Sequence, residues 1–347
     1  MALLMSLTLA MRILSPLTLS WLSRHIDGET RLLVICALIS LISFGGFLGV
    51  TSFWGLFACM ALMAFFWSVS LPVVEAMTLR SLAGRTQDYS RIRLWGSVGF
   101  IVAVVGTGLL LDSAPVNALL WVNLSILAGG LFASWQLNQV LAPMKSVESS
   151  PVPVAVVADN RRALLAVFLV AGMLMAAAHA PLYVFYSLHL VQHGFEKQVV
   201  GLLWSLGVVA EIMVFLWIPR WLSAVPVSMV LNVSLALAVL RFLLIAWCAD
   251  YPLVLIGAQI LHGATFGAFH AAAMAALHQW FPNSQQTKMQ ALYGSLSVGL
   301  GGLLGNLISG FVWENWGPEI TFSTGSLFAA IALVGSILAY SLINRNK

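Results

Sequence analysis

Long apolar runs separated by short polar joints make up nearly the whole chain. Residues 199–221 read VVGLLWSLGVVAEIMVFLWIPRW, an apolar stretch with one carboxylate, Glu211, near its middle. A bilayer core takes roughly 20 apolar residues per helix. Eleven stretches reach that length: 1–22, 32–50, 53–79, 94–111, 117–137, 163–190, 199–221, 228–248, 252–277, 289–311 and 320–343. They lack the period-two alternation of barrel strands, and helices and closed barrels are the only spanning options in lipid. The pattern therefore predicts an all-α integral membrane protein with eleven transmembrane helices. The longest polar joint, NQVLAPMKSVESSPVPVAVVADNRR at 138–162, is rich in Pro, Ser and charge and reads as a boundary between bundles. It divides the chain into a five-helix bundle at 1–137 and a six-helix bundle at 163–347.

Composition agrees. The chain is 61% hydrophobic and 8% charged, whereas about a quarter of residues are charged in soluble domains. Lys and Arg fall in alternate joints: Arg24 and Arg31, then Arg80 to Arg93, Lys145 to Arg162, Arg220, Lys288, and Arg345 with Lys347. The intervening joints hold only Lys197 and otherwise acids such as Asp112, Asp250 and Glu319. Basic joints face the cytoplasm, so the C-terminus is expected there. The net charge of +4 is thus a topology signal, and no basic patch remains for nucleic acid. Cys36, Cys59 and Cys248 lie inside apolar runs at no metal spacing, and no cofactor or metal is expected.

Embedded ionisable groups carry the candidate chemistry, since each costs about 2.5 to 3.5 kcal/mol to insert and normally faces a bundle interior or wet cavity. Glu211, Arg241 and His262 lie near mid-span, as does Arg12, while Glu75 sits three residues after Pro72 and Arg93 opens the run at 94–111. Burial penalises the charged form of an acid, which suits a group that takes up and returns a proton. His179, Tyr183 and Tyr186 fall at i, i+4 and i+7, on one helix face. That stripe either stacks an aromatic solute or packs against a neighbouring helix.

Other patterns lose their usual meaning in context. GLGGLLG at 299–305 has the spacing of a dinucleotide loop, but it sits inside an apolar run without a preceding strand. With Gly294 and Gly310 it fits close helix packing, as do Gly96, Gly99, Gly106 and Gly108. HLVQH at 189–193 offers an i, i+4 pair but lacks a third ligand and reads as a solvated loop end at the membrane edge. There is no GxxxxGK[ST], HExxH or GxSxG, so no enzyme is expected.

Three stretches carry a family resemblance: VVEAMTLRSLAGRTQDYSRIRLWGSVGF at 73–100, GLLWSLGVVAEIMVF at 201–215 and ILHGATFGAFHAAAM at 260–274. They resemble the lactose permease branch of the major facilitator superfamily, the last two especially its carriers of 3-phenylpropionic acid. The resemblance implies the twelve-helix major facilitator fold and runs from that fold's second helix to its twelfth, so the first is expected to be missing. It implies that Glu75 and Arg93 pair to hold substrate, and that Glu211, Arg241 and His262 form the proton-coupling group. Where the family has its other coupling acid, one turn beyond the histidine, this chain has Thr265. The implied activity is proton-coupled symport of a small organic solute across the bacterial inner membrane by a monomer using alternating access. An aromatic carboxylate such as 3-phenylpropionate is the first expectation, with His179, Tyr183 and Tyr186 against its ring. A sugar or nucleoside symporter, or a truncated relative that transports nothing, is the alternative.

Overall fold

A computed structural model describes residues 3–4, 6–11, 14–15, 26, 28–81, 86–140, 159–281, 289–290 and 292–345. The run expected at 1–22 is helical wherever it is described. After it come α1 (Glu29–Gly45), continued by a short 3-10 turn, then α2 (Phe53–Ser81), α3 (Thr86–Ser113), α4 (Ala118–Val140) and α5 (Asp159–Gln192). They are followed by α6 (Lys197–Ala224), α7 (Val227–Trp247), α8 (Pro252–His262), α9 (Phe269–Trp280) and α10 (Gly301–Arg345). Among the described residues there is no strand. Most helices run past their apolar stretch: α3 begins at Thr86 rather than 94, and α4 and α5 extend to Val140 and from Asp159 into the joint. Hydropathy locates the part of a helix that lies in hydrocarbon, whereas backbone hydrogen bonding continues through the polar turns beyond it.

Two segments depart from the α pattern. Gly263–Ala268, between α8 and α9, and Tyr293–Leu300, before α10, are π-helical. α10 is broken by Gly317, whose φ of 83° and ψ of −178° belong to glycine, with Pro318 next. A straight 45-residue helix would be about 68 Å long, against a hydrocarbon core of about 30 Å. A Cβ at Gly305 would lie 2.6 Å from Ala177 Cα, and one at Gly325 would lie 2.7 Å from Ala178 O. Positions this far apart in α10 meet adjacent residues of α5, so the chain doubles back at Gly317. Nine stretches among the described residues are long and apolar enough to span a membrane, and this break divides the last of them into two.

The chain forms two compact units: Leu7–Pro151, and Val152–Lys347 together with Met1–Ser6. In the first, α1 packs on α2 through Leu32, Leu33, Cys36, Val69, Val73 and Met77, and Thr30 Oγ1 bonds Asn138 Oδ1 at 2.7 Å to hold α4. In the second, α5 is the hub, gripped by both arms of α10 and lined by Leu182, Tyr186, Leu235, Phe242, Ile245 and Phe322. Large apolar side chains face outward instead, Trp54, Trp95 and Leu253 among them, as lipid-facing surfaces require. Small residues make the close contacts where GLGGLLG meets α5. The glycines of α3 differ: a Cβ at Gly99 or Gly106 meets nothing within 4 Å, so they do not serve the close packing expected of them.

Candidate functional site

Four helices of the second unit bring their polar residues together. α5 supplies His179, Tyr183 and Tyr186; α6 supplies Trp204, Gly207 and Glu211, close to one face by helical spacing. Arg241 comes from α7, and Gln259 and His262, three apart, from α8. The π segment adds Thr265 and Phe266 immediately after His262.

Arg241 is 0% exposed, the largest fully buried side chain described. Its Nε donates to Ala258 O at 2.8 Å, one terminal nitrogen to Thr265 Oγ1 at 3.2 Å and His179 Nε2 at 3.4 Å, and the other to Gln259 Oε1 at 3.3 Å. Four of the five guanidinium N–H groups are thereby used. Every one of these partners is neutral, and among the described residues no carboxylate lies within ion-pair distance of Arg241. His179 Nδ1 lies 2.9 Å from Met175 O and must donate to it, so Nε2 is the acceptor that faces the guanidinium. His179 is neutral in this arrangement.

His262 Nε2 lies 3.9 Å from Glu211 Oε2, with the carboxylate side chain 22% exposed and the imidazole 8%. The two expected coupling residues therefore face one another across α6 and α8, and the His179 ring, whose Nε2 faces the Arg241 guanidinium, lies 6.1 Å from the His262 ring. Close approach of the helices makes this possible. A Cβ at Gly263 would sit 2.6 Å from Ala210 O, and one at Gly267 would sit 3.2 Å from Glu211 Cγ. The π turn spans both glycines, in keeping with the frequent use of such turns at functional sites.

The aromatic stripe on α5 divides. His179 and Tyr186 are buried at 3% and 0%, directed inward, whereas Tyr183 is 51% exposed. Tyr183 stacks on Trp204 at 6.2 Å and 16°, and Tyr186 meets the same indole edge-on at 5.5 Å. Phe266, stacked on His262 at 5.2 Å and 7°, completes a partly open aromatic rim in front of the buried guanidinium. Trp204, Gln259 and Phe266 give no signal in the sequence, because they are uncharged residues in apolar runs. Glu75 is half-buried in α2 of the other unit. The side chains of Arg93 and Arg12 lie outside the described residues, and the expected Glu75–Arg93 pair falls there with them.

HLVQH corrects an expectation. His189 is 0% exposed and its Nε2 bonds Ile245 O at 3.0 Å, tying α5 to α7. His193 Nδ1 bonds His189 O at 2.8 Å, with Nε2 3.9 Å from Asp250 Oδ1. This end of α5 is a packed joint rather than a solvated one, because the acceptor comes from a helix distant in sequence. Among the described residues no three His, Cys, Asp or Glu side chains are grouped to hold a metal.

The family described as "MFS_1 like family" matches residues 1–324. The probable 3-phenylpropionic acid transporter of Escherichia coli (strain K12) is 29% identical over 261 residues, 74% of this chain and 66% of that protein. The maltose permease of Geobacillus stearothermophilus is 23% identical over 91% of this chain and 78% of its own length. The crystal structure of the nucleoside transporter NupG superposes with a TM-score of 0.81 at 17% identity, covering 98% of this chain and 89% of that one. That likeness is one of fold.

Proposed function

The chain belongs to the MFS_1-like family of major facilitator transporters, and from that premise we propose that it is a secondary carrier coupling proton movement to uptake of an aromatic carboxylate such as 3-phenylpropionate. The observation that carries this reading is Arg241: a fully buried guanidinium whose hydrogen-bonding partners are all neutral. A buried charge without a countercharge is unfavourable, and an anionic solute supplies the missing carboxylate in a geometry that guanidinium matches well. Tyr183, Trp204 and Phe266 offer flat faces for the aryl ring. Glu211 takes up and returns the proton, with His262 beside it and Thr265 standing where the resembled carriers have a second acid. The name of the E. coli relative supports the same solute class.

The proposal keeps transport by alternating access and gives Glu75 and Arg93 the substrate-holding role that the family resemblance implies. The monomer sits in a bacterial inner membrane with its C-terminus in the cytoplasm. The sugar or nucleoside reading is favoured by the maltose and nucleoside carriers among its relatives. Uptake of labelled 3-phenylpropionate into proteoliposomes under an inward proton gradient, with unlabelled lactose, uridine and cinnamate as competitors, separates the readings. Competition by cinnamate alone is expected; competition by lactose or uridine, with no uptake of the acid, would replace the proposal with its rival.

A further inference from the structure

Behind the aromatic rim, buried hydrogen-bonding groups are left without partners. Gln259 is 1% exposed, and its Oε1 accepts from Arg241. That bond fixes the amide's orientation, because exchanging its oxygen and nitrogen would set N–H against N–H. Nε2 then points elsewhere with its two hydrogens and has no hydrogen-bond partner. The Tyr186 hydroxyl, on a residue 0% exposed, lies beside the Gln259 amide and Arg241; even where its oxygen accepts one amide hydrogen from Gln259, its own O–H and the second amide N–H are left to donate. Arg241 keeps one N–H beyond the four it uses. The groups whose role is fixed are the N–H donors of Gln259 and Arg241; the hydroxyl can donate beside them, and His262 Nδ1, also without a partner, donates or accepts according to its tautomer.

Orphaned donors at membrane depth are expensive, since no water is at hand to satisfy them. A group that only accepts is the complement of such a set, and a carboxylate is also the charge that Arg241 lacks. An amide or alcohol of the same shape brings donors of its own and no charge. Close helix packing holds the amide in place: a Cβ at Gly207 would come within 3.1 Å of Gln259 Oε1 and 3.4 Å of His262 Cδ2, so any larger residue there would crowd both.

We propose that Gln259 and the Tyr186 hydroxyl, held beside Arg241, form the carboxylate-recognising end of the solute site and determine its selectivity for acids over their neutral analogues. The inference rests on the reading of this cluster as the solute site, and assigns Tyr186 to hydrogen bonding where its place in the α5 stripe suggested ring stacking.

The test measures binding of 3-phenylpropionate and 3-phenylpropionamide to the purified full-length carrier, for wild type, Tyr186→Phe, Gln259→Leu and Gln259→Glu. Wild type should prefer the acid. Tyr186→Phe and Gln259→Leu should each weaken acid binding on the order of tenfold, the loss of one hydrogen bond to a charged group, and leave the amide within a few-fold. Gln259→Glu places a permanent carboxylate against Arg241 and should abolish acid binding while keeping or raising thermal stability, which guards against misreading a folding defect. Wild-type binding of the acid with all three variants unchanged overturns this inference and leaves the proposed function standing. Wild type that binds neither compound but binds uridine or lactose overturns both.

Discussion

Replacing Glu211 by Gln keeps the side chain's size and removes its ability to carry a proton. Glu211 Oε2 and His262 Nε2 are 3.9 Å apart, beyond hydrogen-bonding range, so the amide forfeits no hydrogen bond between them. The substitution is close to isosteric and leaves the packing of the side-chain stem in place, so thermal unfolding in detergent should move by only a few degrees. Transport should change far more. A gradient of two pH units stores about 2.7 kcal/mol per proton, enough for roughly a hundredfold accumulation of a solute coupled one to one. In proteoliposomes corrected for leakage into protein-free vesicles, wild type should approach that limit. Glu211→Gln should fall to a ratio of about one, while exchange of internal for external solute, which needs no net proton movement, persists. Accumulation equal to wild type would remove Glu211 from the mechanism, and loss of exchange and accumulation together would make it a binding or packing residue.

Other consequences follow from the geometry. Gly305→Val forces its side chain into the α5 backbone near Ala177 and should destabilise by about 1 to 3 kcal/mol, whereas Gly335→Ala, with nothing within 4 Å, should be close to neutral; thermal unfolding of the two compares them directly. Trp204→Ala removes the plane under Tyr183 and the edge contact with Tyr186. It should weaken 3-phenylpropionate binding by about two- to tenfold, a stacking contribution of roughly 0.5 to 1.5 kcal/mol, and barely affect a short aliphatic acid in the same titration. His189→Ala breaks the bond to Ile245 O and should lower stability by about 1 to 2 kcal/mol without altering the solute's affinity.

The parts of this protein legible in sequence are those whose cost is local. A run of apolar residues announces a crossing, and an ionisable group inside one announces a polar contact between helices, so Glu211, Arg241 and His262 stand out by residue type and position alone. Their neighbours do not. Gln259 and Thr265 are ordinary polar residues until a guanidinium from α7 donates to both, and His189 looks solvated until Ile245 offers its carbonyl. The π turn at Gly263–Ala268 is equally silent: its hydrophobicity is that of an α-helix, and neither its wider backbone hydrogen bonding nor its close approach to Ala210 on another helix leaves a mark in the pattern. The same dependence on a partner separates glycines. Gly305 packs against α5 and Gly99 against nothing, though both sit in similar apolar sequence. The stripe of His179, Tyr183 and Tyr186 shares one face as the spacing required, yet the neighbouring helices bury two of the three and leave Tyr183 open.

Proton-coupled carriage of an aromatic acid is the central claim, and simultaneous recording of solute and proton movement tests it most directly. 3-Phenylpropionate added to proteoliposomes without an imposed gradient should alkalinise the outer medium in step with uptake, above the protein-free baseline and in a fixed ratio. Glu211→Gln should lose this signal. Protein-dependent uptake of the acid with no accompanying proton movement would contradict the account.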